Sequence, residues 1–180
     1  VNEFLRQSTE PKLTERQVSL EVRQQIPSFR AEARFLRALS YCHGLDLYGR
    51  LPLYLEDTPL GSELPQANRG EIFAFLESEL HDIQGFIPAP GEGDYGRIDR
   101  AAAWALQSRL YLNAQTYVGQ LRYDECLRAG RRVLEAGVYE LEPDYHHLFR
   151  TDNHTSKEII YAIPVDGRNY QTWGGMTYLV

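Results

Sequence analysis

GRIDRAAAWALQSRLYLNAQTYVGQLRYDECLRAGRRVLEAGV, residues 96–138, decides the fold. It reads as two helices folded back on each other. In its first half Ala103, Leu106, Leu110, Ala114 and Tyr117 recur at steps of three and four, which places them on one helix face. Cys126, Ala129, Val133 and Ala136 repeat the pattern in the second half, and Leu127, Gly130 and Leu134 widen that stripe. The link Gly119-Gln120-Leu121-Arg122 is short, so the two helices are expected to run antiparallel. The facing positions are rich in Ala and Gly, which lets two backbones approach closely. Trp104 shares a face with Ser108 and Tyr111, and packing within the pair is its expected role.

Outward from this stretch, residues 28–48 form the next strongest helix. Ala31, Phe35, Ala38, Cys42 and Leu45 step by four and three, and Gly49 and Pro52 stop the run. Gly44 inside it should cost about 1 kcal/mol against Ala, which points to a close approach there. Residues 69–86 read as an acidic amphipathic helix with Ile72, Phe75, Leu76, Leu80 and Ile83 on its apolar face. Glu77, Glu79 and Asp82 are expected on its solvated side. Near the start, residues 1–7 read as a helix end and 8–13 as a link. Thr14 and Gln17 suggest a capping box opening a helix that runs to about residue 25, where Pro27 interrupts. Residues 51–55 read as extended and 56–68 as a loop. Residues 88–96 form a loop, and 139–155 are polar and irregular. Alternation over 158–163 suggests a buried strand, ended by Pro164. Residues 167–180 are a loop rich in Gly and aromatics. No fixed-period repeat is present, which fits a degenerate helical-repeat array.

Three segments resemble the SusD/RagB family of outer-membrane glycan-binding lipoproteins in the family's order. AEARFLRALSYCHGLDLYGRLPLYLE (31–56) is similar to its long helix ending in a Tyr-Gly-x-x-Pro turn. Residues 96–138 resemble its central tetratricopeptide-type helix pair. YELEPDYHHLFRTDNHTSKEIIYAIPVD (139–166) is similar to the segment that leaves the helices and enters a strand. With the acidic helix, the resemblance covers most of the chain. It implies a mainly α fold, with tetratricopeptide-like antiparallel helix pairs in an α-α superhelix and minor extended or strand segments. It also implies one domain over 1–180, a fragment of a longer protein, with 164–180 opening a loop-rich ligand-binding region.

Composition bounds the function. The 180 residues suffice for one buried core. A formal net charge of −6 and pI near 5.4 argue against nucleic acid, which needs a basic surface to displace counterions. No apolar run is long enough to span a membrane. No leader or lipid-attachment cysteine is read in the chain, and membrane association is expected only through a lipid anchor lying outside it. Cys42 and Cys126 are expected to be free, buried hydrophobes.

Catalytic motifs are not legible. His146, His147 and His154 lie near Asp144 and Asp152, but no metal-ligand spacing such as HExxH occurs, and a solvated loop is expected. No GxSxG nucleophile turn, phosphate loop or marked carboxylate pair stands out. No metal and no cofactor are expected. The site is expected in the loop after Pro164. There Tyr170 and Trp173 offer aromatic faces for the C–H faces of a sugar, and Arg168 and Asn169 offer partners for its hydroxyls. The resemblance implies non-enzymatic glycan capture at a bacterial outer-membrane surface, beside a SusC-like TonB-dependent transporter. Two other readings stay open: a helical-repeat module that binds a peptide or protein in its groove, and an all-helical glycosidase fragment.

Overall fold

The computed structural model describes residues 1–164. Its helices are α1 (Asn2–Gln7), α2 (Glu10–Glu15), α3 (Leu20–Tyr48), α4 (Arg69–Asp82), α5 (Arg100–Leu112), α6 (Ala114–Val118) and α7 (Tyr123–Glu135). A two-residue antiparallel ladder joins β1 (Leu51–Pro52) to β2 (Gln66–Ala67). The mainly α expectation holds. No helix among the described residues is long and apolar enough to cross a membrane.

The central pair forms as its spacing predicts, with a break. Ala103, Leu106, Leu110, Ala114 and Tyr117 are all buried. The first helix stops at Asn113 and restarts as α6, which ends at Gly119 in the left-handed conformation. Ser108 Oγ donates to the Cys126 carbonyl at 3.1 Å, while Arg132 lies over the Trp104 ring at 5.9 Å. Contacts that descend α5 while ascending α7 make the two antiparallel. Only one face of α7 is covered. Ala129 is buried, but Leu127 and Leu134, read as part of the buried stripe, are exposed, Leu134 by 78%. Cys42 is buried and Cys126 only partly so, and both are free.

Helix α3 runs longer than expected. It begins at Leu20, where the Ser19 side chain accepts from Val22 N, and it passes through Pro27 without ending. A proline deletes one backbone hydrogen bond. The burial of Ala31, Phe35, Ala38, Cys42 and Leu45 holds the rest of the helix against that loss. The Thr14–Gln17 capping box does not form. Pro11 sits in the first turn of α2 and favours an earlier start, so Thr14 falls in its last turn and donates to the Glu10 carbonyl. The anticipated close approach at Gly44 is against Leu51, where an added Cβ would lie 2.9 Å from Cδ1.

Helix α4 starts at a reciprocal capping box. Asn68 Oδ1 accepts from Glu71 N at 3.1 Å, and Glu71 Oε2 accepts from Asn68 N at 2.7 Å. Asn68→Ala is expected to lower the unfolding free energy by about 1 kcal/mol, measured by urea denaturation, with Asn68→Ser recovering most of it. The α4 core face carries Ile72, Phe73, Leu76 and Leu80. Phe75 is only half-buried, edge-on to Tyr41.

Glu79 corrects the solvated-side expectation: it is only 7% exposed. Arg34 and Arg37 of α3 reach it, at 2.6 Å and 2.8 Å. Arg37 also donates to Glu56 and to Asn2 Oδ1, tying α1 and the 53–58 loop into the same network. A carboxylate can be buried where guanidinium groups replace its water.

The strand expected over 158–163 is absent. Among the described residues no ladder partner lies beside it; residues 159–162 are all half-buried, and Tyr161 sits edge-on to Phe35 at 5.6 Å.

Candidate functional site

Arg168, Asn169, Tyr170 and Trp173 lie outside the described residues. The structure does describe a cleft beside Gly96 and Ala162, close to the last described residues. Its anchor is Asp99, the N-cap of α5. Asp99 Oδ1 accepts from Ala101 N at 2.8 Å and Ala102 N at 3.1 Å, which satisfies amides at the helix start. Its other oxygen accepts from Gly91 N at 2.7 Å and from the Tyr139 hydroxyl. One carboxylate thereby ties the 88–99 loop, α5 and the chain after α7 together. Burial, then the Asp99 bond, push the Tyr139 pKa well above the usual phenol value, so the hydroxyl remains a donor.

The cleft beside Asp99 has a volume of about 340 Å³. Tyr95, Tyr139, His154, Lys157 and Tyr161 line it, with the exposed Tyr95 ring edge-on to His154 at 6.0 Å. Gly96 has φ of +80°, and a Cβ there would meet Pro164 at 2.9 Å. Only glycine allows both that backbone and that approach. Aromatic rings therefore stand beside both charged and neutral hydrogen-bonding groups in this cleft, Asp94, Arg97, Asp99 and Lys157 among the charged ones.

Next to it is a group that looks catalytic on paper. His147 Nδ1 lies 3.0 Å from Glu142, and its Nε2 lies 3.4 Å from Thr155 Oγ1. The geometry does not make a nucleophile. The Thr155 hydroxyl donates to the Asp152 carbonyl at 2.8 Å, and 3.4 Å exceeds the reach expected of a general base, roughly 2.6–3.2 Å. Asp144 caps the short turn holding the histidines by accepting from His146 N. Among the described residues no three metal-ligating side chains gather. Trp104 packs, as its spacing predicts. Its Nε1 donates to Gln84 Oε1 at 2.9 Å.

A second, larger cleft of about 820 Å³ lies between the end of α3, the first turn of α4 and the α6–α7 link. Tyr48, Arg50, Asn68, Arg69, Gln120 and Arg122 are among its walls. Sequence reasoning missed it, since its residues are far apart in the chain.

No family model matches the chain. Its relatives nonetheless define one class: the chain is SusD-like. Over 156 residues it is 38% identical to starch-binding protein SusD of Bacteroides thetaiotaomicron, covering 84% of this chain and 28% of that protein. Over 137 residues it is 26% identical to SusD-like protein P25 of Formosa agariphila, covering 74% of this chain and 25% of the other. A solved SusD-like protein from Bacteroides fragilis superposes with a TM-score of 0.64 at 26% identity, covering 76% of this chain and 27% of that one. The chain thus spans about a quarter of the length of the curated relatives it matches.

Proposed function

We propose that the protein captures glycan at the bacterial outer-membrane surface without catalysing its breakdown. The whole protein would be held there by a lipid anchor and would deliver oligosaccharide to a SusC-like TonB-dependent transporter. The observation that carries this reading is the 38% identity to a starch-binding protein. The cleft at Tyr95 and Tyr139 supports it by offering rings and hydroxyls rather than a nucleophile. In this reading Trp173 and Tyr170 are stacking platforms, with Asn169 and Arg168 bonding sugar hydroxyls.

Calorimetry with a neutral oligosaccharide tests the assignment. Trp173→Ala should weaken binding about tenfold, roughly 1.4 kcal/mol, with little change in melting temperature. Wild-type affinity in that variant would remove the loop from the site. Incubation with the same saccharide should release no reducing ends.

A second reading, a module that binds a peptide, has one observation behind it. Leu112, Leu127 and Leu134 lie exposed along an apolar groove between α5 and α7. Peptide binding without any saccharide binding would favour it.

A further inference from the structure

We propose that the cleft between α3, α4 and the α6–α7 link binds the carboxylate of an acidic sugar, giving the protein a site for uronate-containing glycans. The proposal rests on the glycan-capture reading and narrows its ligand class.

The argument begins with arginine partners. Eleven of the sixteen arginines among the described residues donate to a carboxylate, hydroxyl, amide oxygen or carbonyl of the protein. The other five are Arg50, Arg69, Arg128, Arg131 and Arg132, of which Arg128 reaches Glu125 only at 3.9 Å. Arg132 lies over the Trp104 ring, and Arg131 borders the apolar groove. Arg50 and Arg69 line the same cleft.

The carboxylates near them are already engaged. Glu77, the acidic residue of the cleft wall, accepts from Arg122 at 2.7 Å and from the Tyr111 hydroxyl at 2.9 Å. Arg122 also donates to Glu125 at 2.7 Å. Asp46, one turn before the end of α3, accepts from Arg109 at 2.8 Å and from Tyr117. Two guanidinium charges are therefore left facing the cleft in a chain whose net charge is −6. A forked donor matches a carboxylate with two parallel hydrogen bonds.

The backbone is arranged to permit this. Gly49 ends α3 with φ of +73°, and a Cβ there would lie 2.6 Å from Arg69 Nε. The absent side chain lets the Arg69 guanidinium lie across the end of α3, beside the residue that precedes Arg50. The rest of the cleft suits a sugar ring. Tyr48 is 75% exposed, an aromatic face available for C–H stacking. Asn68 and Gln120 can serve hydroxyls. A carboxylate supplies what the guanidinium groups lack, and the ring supplies what Tyr48 lacks.

Calorimetry on the whole chain, with tetragalacturonate and neutral maltotetraose as probes, tests this. Wild type should bind tetragalacturonate, and affinity should fall as salt rises, because exposed charges are screened. The Arg50→Ala/Arg69→Ala variant should lose at least about tenfold in tetragalacturonate affinity and keep maltotetraose affinity and melting temperature. Arg50→Lys keeps the charge but not the fork, and should recover only part of the loss.

Unchanged tetragalacturonate binding in the double variant overturns the site. A sulfated tetrasaccharide without uronate, bound more tightly than tetragalacturonate with the same arginine dependence, overturns the carboxylate assignment. Maltotetraose binding without tetragalacturonate binding sinks this inference and leaves glycan capture standing. Arginine-dependent uronate binding with no effect of Trp173→Ala supports this site and removes the loop instead. If wild type binds neither saccharide, both fall.

Discussion

Leu110→Ala should lower the unfolding free energy by roughly 2–5 kcal/mol, the range for emptying a well-packed core site. Leu110 has no exposed surface and belongs to the cluster that includes Phe35 and Cys42 of α3 and Ile72 and Leu76 of α4. It therefore reports on how the central pair packs against the rest of the molecule. Leu110 lies near the end of α5, three residues before the break at Asn113, with regular helix on its N-terminal side. Urea denaturation measures the change. Leu110→Met, which nearly conserves volume, should cost less than about 1.5 kcal/mol. A loss below about 0.5 kcal/mol in the alanine variant would be incompatible with the packing described for α5.

Glu79→Ala should be comparably severe, roughly 3–5 kcal/mol, because it breaks a buried ion pair on one side only. Arg37 is 5% exposed, and its Nε is already buried without a partner. Removing Glu79 takes the acceptor at 2.8 Å from its Nη2 and leaves the charge to Glu56 and Asn2. Arg34 loses its 2.6 Å acceptor too, but it can turn to Asp82 at 3.3 Å. The asymmetry makes a second measurement informative. In double-mutant cycles the Arg37–Glu79 coupling should exceed the Arg34–Glu79 coupling. By contrast Arg97–Glu32 lies at the surface, and its coupling should stay within about 1 kcal/mol.

The helical architecture was legible because hydrophobic spacing reports directly on which face is buried. The steps over Phe35, Ala38, Cys42 and Leu45, and over Leu106 and Leu110, pick out core residues correctly. Glu79 was misplaced because the same rule sends charge outward, and a single sequence does not show which arginine faces which helix. A signal was present in the spacing: Arg34 and Arg37 lie one turn apart, beside the apolar residues Phe35 and Ala38. Leu127 and Leu134 failed for a related reason. Periodicity defines a face but not whether anything covers it. The alternation of 158–163 predicts a strand only where a neighbour can pair with it, and no described segment does. The arginine cleft was not readable at all. Arg50, Arg69 and Arg122 meet through the packing of α3, α4 and the α6–α7 link, and their separation in sequence carries no trace of it. The expected ligand residues 168–173 lie beyond what the structure describes.

The Glu79 network also constrains descent. Asn2, Arg34, Arg37, Glu56 and Glu79 come from α1, α3, a loop and α4, yet they share one set of donors and acceptors. Exchanging Glu79 or Arg37 alone takes the partner from a buried charge, while exchanging the two together can restore balance. Neutral drift is therefore closed to Glu79 and Arg37 one at a time. Among related sequences they should change rarely, and then as a pair. The outer leucines of α7 bear no such obligation and can vary freely as far as this part of the chain is concerned.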